Sequence, residues 1–86
     1  MGKCLTMQRT TVPASEREKY FQRLKESKAH YTAANCRFWA FEESALKGAF
    51  VEFVEADDEA SLSNAHSSAP HRIFDPARIY RETEIR

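Results

Sequence analysis

His66 is the side chain in this 86-residue sequence best placed to do chemistry. Leu62, Ala65, His66 and Ala69 fall at i, i+3, i+4 and i+7, which puts the imidazole on the inward stripe of a helix. An imidazole there titrates near neutral pH and can act as a general base or as the ligand of a haem iron. No partner constellation accompanies it in the sequence, so a histidine hydrogen-bonded at the edge of the core is the preferred expectation. His30 falls away from the apolar side of its own helix and is expected to face solvent. His71 lies past Pro70 in a loop, where it can border a pocket mouth. Three histidines without carboxylates at ligand spacing make a poor metal set, and no cofactor is expected.

Three aromatic residues could line a ligand site beside His66. Trp39 offers an indole donor and a broad flat face, useful for orienting an aromatic molecule, although burial in the core is the default for such a side chain. Tyr20 and Tyr31 can point hydroxyls between a helix and a sheet, with core packing as the ordinary alternative. Glu52 sits between Phe50 and Val54, so a covered Glu52 must find a cation or a hydrogen bond, or take up a proton. Arg37 and Arg9 are the expected sources of charge. Cys36 follows a helix C-terminus, where the dipole raises a thiol pKa, and is expected to be a small buried side chain rather than a nucleophile.

The elements that position these residues can be read along the chain. Residues 3–12 alternate Leu5 and Met7 with Thr6, Gln8 and Thr10, a strand pattern that Pro13 stops. Ser15 and Glu18 form a capping-box pattern, and "SEREKYFQRLKESKAHYTAAN" then reads as a helix of about five turns. Tyr20, Phe21, Leu24, Lys28 and Tyr31 share its expected inner side, and Asn35 is a plausible stop because it tolerates the left-handed conformation. Residues 36–42 and 48–55 read as strands whose connection suits a hairpin and is too short for a parallel crossover. Asp57 and Asp58 open a second helix, "DDEASLSNAHSSA", ended by Pro70. A last strand is expected over 78–85. Strand, helix, strand, strand, helix, strand is an α+β order, a ferredoxin-like βαββαβ sandwich with two helices on one face of a four-stranded antiparallel sheet.

The length suits a single domain over residues 1–86. Thirteen basic and thirteen acidic residues cancel, which argues against a domain whose main work is neutralising phosphates. No apolar run reaches spanning length, so no membrane is expected as a partner. Two cysteines, Cys4 and Cys36, are too few for a disulfide framework and suit a reducing, cytoplasmic setting. The start "MGKCLT" fits the loose N-myristoylation pattern through Gly2 and Thr6, but that pattern is short and common, and a first strand beginning at Lys3 is preferred.

Both faces of the central hairpin are apolar. Cys36, Phe38 and Ala40 point one way, Trp39 and Phe41 the other; Val51 and Phe53 share one face of the next strand, Phe50, Glu52 and Val54 the opposite one. Helices cover one set only. Burying a large apolar side chain is worth roughly 1.5–3 kcal/mol, so the second set is expected to be covered too. The cover is either the sheet of a second copy, with Phe50, Glu52 and Val54 as the expected interface, or the bases of a nucleic acid.

The stretches "HYTAANCRFWAFEE" and "GAFVEFVEADDEASL", followed by a short Ala- and Ser-rich helix, resemble the dimeric α+β barrel superfamily, which includes the antibiotic-biosynthesis monooxygenase-like proteins. The resemblance covers nearly the whole chain and carries no diagnostic catalytic signature. It implies a homodimer with two sheets packed face to face and, in many members, a small-molecule pocket. Members include cofactor-independent oxygenases, haem-degrading enzymes, small isomerases and proteins without known activity. For an oxygenase the ligand is expected to be a small electron-rich aromatic molecule, with His66, Trp39 and Tyr31 lining its cavity. A non-catalytic dimerisation or interaction module, its cavity filled by its own side chains, is the alternative. "KGAFVEF" is also similar to the third-strand signature of the RNA-recognition motif. It lacks the aromatic between Gly48 and Ala49, and the first strand has none, so no nucleic acid is expected as a partner.

Overall fold

A computed structural model describes residues 3–85. The elements are β1 (Cys4–Thr11), a 3-10 turn (Ala14–Glu16), α1 (Arg17–Ala33), β2 (Arg37–Glu42), β3 (Ala49–Ala56), α2 (Glu59–Ser67) and β4 (Tyr80–Arg81). All strand pairs are antiparallel, in the order β2-β3-β1-β4. This is a small α+β domain compatible with a ferredoxin-like fold. Gly2, on which the acylation pattern depends, lies outside the described residues.

Local chemistry explains most element ends. Asp58 caps α2, its carboxylate accepting from the Ser61 backbone N–H at 2.7 Å. Asn35 adopts φ 63° just past α1, the left-handed stop expected of it. The start of α1 differs from expectation. Ser15 lies in the 3-10 turn, the residue before α1 is Glu16, and no side chain caps the helix there. Pro13 sets that turn instead, with its carbonyl accepting from the Glu16 N–H at 2.9 Å. Arg17 also reaches out of the first turn to grip Glu42 with two parallel bonds of 2.8 Å.

Gly48 ties the two ends of the hairpin to β1. Its φ is +90°, and a Cβ there would stand 2.5 Å from the Val12 carbonyl oxygen. Its own carbonyl accepts from the Val12 N–H, and its N–H donates to Glu42. Gly48→Ala is therefore expected to cost at least ~2 kcal/mol in a urea melt, from backbone strain and overpacking together. A loss below half of that would mean that the turn relaxes around a methyl group.

The core lies between the helices and one face of the sheet. Tyr31, Leu62, Val54, Ala56, Cys4, Cys36 and Ala65 form its centre, with Phe38 packed against them. The Tyr31 and Phe38 rings stack 5.7 Å apart and nearly parallel. The inner stripe of α1 runs through Tyr20, Leu24, Ser27 and Tyr31; Phe21 and Lys28, placed inside by spacing, are exposed. Phe21 and Lys28 each follow a stripe residue, Tyr20 and Ser27, by one position, which turns them about 100° away from the sheet. The last strand is also shorter than expected: β4 is two residues long, and the chain beyond it runs exposed.

Strand parity is reversed from the sequence expectation. Phe50, Glu52 and Val54, expected at a subunit interface, point at the helices and are buried. Strand pairing puts Cys4, Thr6, Gln8 and Thr10 of β1 and Phe38, Ala40 and Glu42 of β2 on the same side. The open side carries Leu5, Met7 and Arg9, then Val51, Phe53 and Glu55, then Arg37, Trp39 and Phe41, with Tyr80 beside Leu5. Either set on β3 is apolar enough to form a core. What separates them is Glu52, whose hydrogen-bond donor comes from α1.

Candidate functional site

Two polar clusters lie under the helices. In the first, α2 brings His66 over β1 and against α1. Its Nε2 lies 2.7 Å from the Thr6 hydroxyl and its Nδ1 lies 2.8 Å from the Tyr31 hydroxyl. A neutral imidazole donates through one nitrogen and accepts through the other, so two hydroxyls, each able to do either, satisfy both tautomers. Burial pushes the His66 pKa below its ordinary value, helped by the nearby His30. Burial raises the Tyr31 pKa to about 12, with Cys36 and Glu52 adding to the effect. The cluster is thus an uncharged, fully bonded set at the edge of the core, the arrangement the sequence favoured over a free base.

His30 is a correction. Rather than facing solvent, it approaches α2, with Nε2 2.8 Å from the Ala65 carbonyl oxygen and its ring edge-on to Tyr31. The spacing rule placed it off the stripe correctly, but α2 packs beside α1 and reaches residues outside that stripe. His71 leaves its loop to meet Glu26 on α1 at 2.6 Å, and Gln8 accepts from the Phe74 N–H. These two contacts strap the segment after α2 onto the domain.

In the second cluster the Tyr20 hydroxyl donates to Glu52 at 2.6 Å, a charge-assisted bond between side chains that are 4% and 6% exposed. Burial, then the bond to Glu52, raises the Tyr20 pKa and keeps the phenol protonated. Neither Arg9 nor Arg37 reaches Glu52; a tyrosine takes the part expected of an arginine. Arg37 instead binds Glu55 at 2.8 Å and Asp57 at 3.0 Å. Arg17 holds the Glu42 pKa down to about 2, assisted by the Gly48 N–H, and its guanidinium lies over the Phe21 and Phe50 rings.

The structure therefore brings Tyr31 to His66, joins Tyr20 to Glu52, and leaves Trp39 apart from both. Trp39 lies on the other face of the sheet, 43% exposed, beside Phe41 at 55%; Tyr80, 46% exposed, lies on the same face at the opposite edge. The burial expected of Trp39 does not occur within the chain. Cys36 is buried, which raises its pKa, as a packing residue requires. Among the described residues no cluster of three His, Cys, Asp or Glu side chains could hold a metal. Thr6 is the site residue that sequence reading missed. It lies directly opposite Val54 on the core side of β1, so its parity was the available signal.

Two surface grooves adjoin these features. One of about 390 Å3 runs between α2 and the segment after it, with His66, Ser63, Ser67, Arg72 and Phe74 in its walls. Another of about 530 Å3 lies at the hairpin end of the sheet, with Arg9, Phe41, Glu43 and Val51 at its rim.

The fold and its sites define a small α+β domain with a four-stranded antiparallel sheet, an uncharged polar cluster beneath its helices and an aromatic open face. Comparison with protein-family models, curated proteins and solved structures gives no match.

The lowered His66 pKa has a consequence for stability. An unfolded imidazole takes up a proton near pH 6.5, whereas the buried one resists it. The stabilisation is present above pH 6.5 and is lost as pH falls from there through the folded-state value. Glu26, whose pKa the bond to His71 depresses, adds a separate loss that begins as pH falls through the ordinary carboxylate value and is complete below its depressed one. His66→Gln is expected to flatten the stability profile between pH 6.5 and 5, measured by urea melts at each pH. An unchanged slope would show that His66 opens to water too readily to matter.

Proposed function

We propose that the protein is a self-associating subunit of the dimeric α+β barrel kind, a ferredoxin-like domain whose open sheet face is covered by the same face of a second copy. One observation carries this reading. Trp39, Phe41 and Tyr80 stand exposed together on a face that also holds Leu5, Met7, Val51 and Phe53. Contiguous apolar surface of this kind marks an interaction site, and each large side chain gains roughly 1.5–3 kcal/mol on full burial. The interior of each subunit supports the non-catalytic form of this reading, because the polar groups between helices and sheet bond to one another. Buried thiols at Cys4 and Cys36 suit a cytoplasmic setting. RNA is disfavoured as the occupant: Phe50 is under the helices, Arg37 is neutralised, and the total charge is zero.

A second reading, binding of a small aromatic molecule and a monooxygenase-like role, is favoured by the groove beside His66. There the neutral imidazole becomes a base only by exchanging its bond to Thr6 or Tyr31.

Sedimentation velocity over a dilution series tests the first reading, with Trp39, the single tryptophan, as an optical reporter. The expected result is a species of twice the chain mass whose tryptophan emission shifts to the red on dissociation. A monomer at every concentration up to high micromolar overturns it.

A further inference from the structure

The groove between α2 and the segment after it carries one unanswered positive charge. Ser63, His66 and Ser67 lie at i, i+3 and i+4, so a single face of α2 forms one wall. The segment that follows supplies Arg72, Phe74 and Pro76. Its volume of about 390 Å3 falls within the range of small-molecule sites, roughly 300–1,000 Å3. Among the described residues no acidic side chain lines it, and the Arg72 side chain makes no ion pair or hydrogen bond. The acids on the flanking elements are engaged elsewhere: Glu26 with His71, Asp75 with Arg78 and Glu59 with Arg81.

The other walls narrow the ligand further. His66 adds no charge, because the Thr6 and Tyr31 hydroxyls occupy both of its ring nitrogens. Ser67 gives its hydroxyl proton to the Asn64 carbonyl at 2.8 Å, whereas the Ser63 hydroxyl has no partner among the described residues. Phe74 is 95% exposed and leaves nearly its whole ring open to a flat partner. One guanidinium with one hydroxyl donor matches a single carboxylate, which arginine can hold through two parallel bonds. A zwitterion would bring an ammonium into walls that offer it no counter-charge. We propose that this groove binds a small aromatic monocarboxylic acid, its carboxylate on Arg72 and Ser63 and its ring against Phe74. The proposal rests on the small-molecule reading of the groove given above and narrows it to one class; it is independent of self-association.

Molecules of one shape and different charge test it. 3-Phenylpropionate, its neutral amide and phenylalanine are titrated separately into the isotope-labelled chain and followed by backbone amide shifts. Saturable shifts at Ser63, Ser67 and Ile73 are expected with the acid. The amide and phenylalanine are expected to bind at least ~10-fold more weakly, the scale of one charge-assisted bond. Arg72→Gln is expected to erase the preference for acid over amide, and Phe74→Ala to weaken both alike. Both side chains are exposed, so an unchanged urea midpoint is expected for each variant. Equal binding of acid and amide, phenylalanine matching the acid, or a preference that survives Arg72→Gln overturns the assigned class while the small-molecule reading stands. Shifts confined to the open sheet face around Trp39 overturn the groove as the site. No shift with any of the compounds at millimolar concentration removes both the class and the small-molecule reading.

Discussion

Replacing Trp39 with aspartate is expected to leave a folded chain that no longer associates. Trp39 lies on β2, an edge strand, and its ring is 43% exposed, so the isolated subunit loses little packing. At a face-to-face contact the same ring sits in the central row beside Phe53, where a two-fold places it twice. Buried aromatic anchors near the middle of an interface commonly account for 2 kcal/mol or more each. Two carboxylates brought into that row lose solvation without gaining a cation, which adds to the loss. The dissociation constant is expected to rise at least ~100-fold, about 2.7 kcal/mol, read by sedimentation. The urea midpoint, extrapolated to low protein concentration, is expected to hold. Association that survives the substitution would move the contact off this face altogether.

The second large effect belongs to Tyr20. Tyr20→Phe removes the hydroxyl that donates to Glu52 and leaves a carboxylate beneath α1 with its principal donor gone. An orphaned buried polar group costs about 1–3 kcal/mol, and a charged one lies at the upper end or above. We expect the variant to lose about 3 kcal/mol in urea unfolding with its slope against denaturant unchanged. Combining it with Glu52→Leu is expected to recover much of that loss, because both partners are then apolar and similar in size to what they replace. If Tyr20→Phe costs no more than an exposed substitution, water already reaches Glu52 and the bond is incidental.

These two side chains also show where a sequence can and cannot be read. The order of elements was legible because each boundary has local chemistry: Pro13 after β1, Asn35 after α1, Asp58 before α2. The direction of β3 was not. Phe50–Val54 and Val51–Phe53 are equally good core sets, and a carboxylate in the first set looks like a mark of exposure. It becomes a mark of burial only when Tyr20, more than thirty residues away in the chain, is seen to supply the hydroxyl. His66 was legible as an inward residue from the spacing of Leu62, Ala65 and Ala69, but its partners come from two other elements. The length of β4 was not legible either, since alternating residues over 78–85 fit a strand that, among the described residues, pairs only alongside Lys3 to Leu5.

That stub of a fourth strand has its own consequence. It flanks β1 at Cys4 and Leu5 only, so from Thr6 to Thr11 the outer rim of the sheet has no strand beside it among the described residues. An unsheathed rim is a template for uncontrolled growth, the route by which sheets add foreign strands and become fibrous. Here the stretch is threonine-rich and carries Arg9, and the backbone at Phe74 is hooked to Gln8 across it. Insolubility in variants of this protein should therefore trace to loosening of the segment after α2, more than to the rings on the broad side of the sheet.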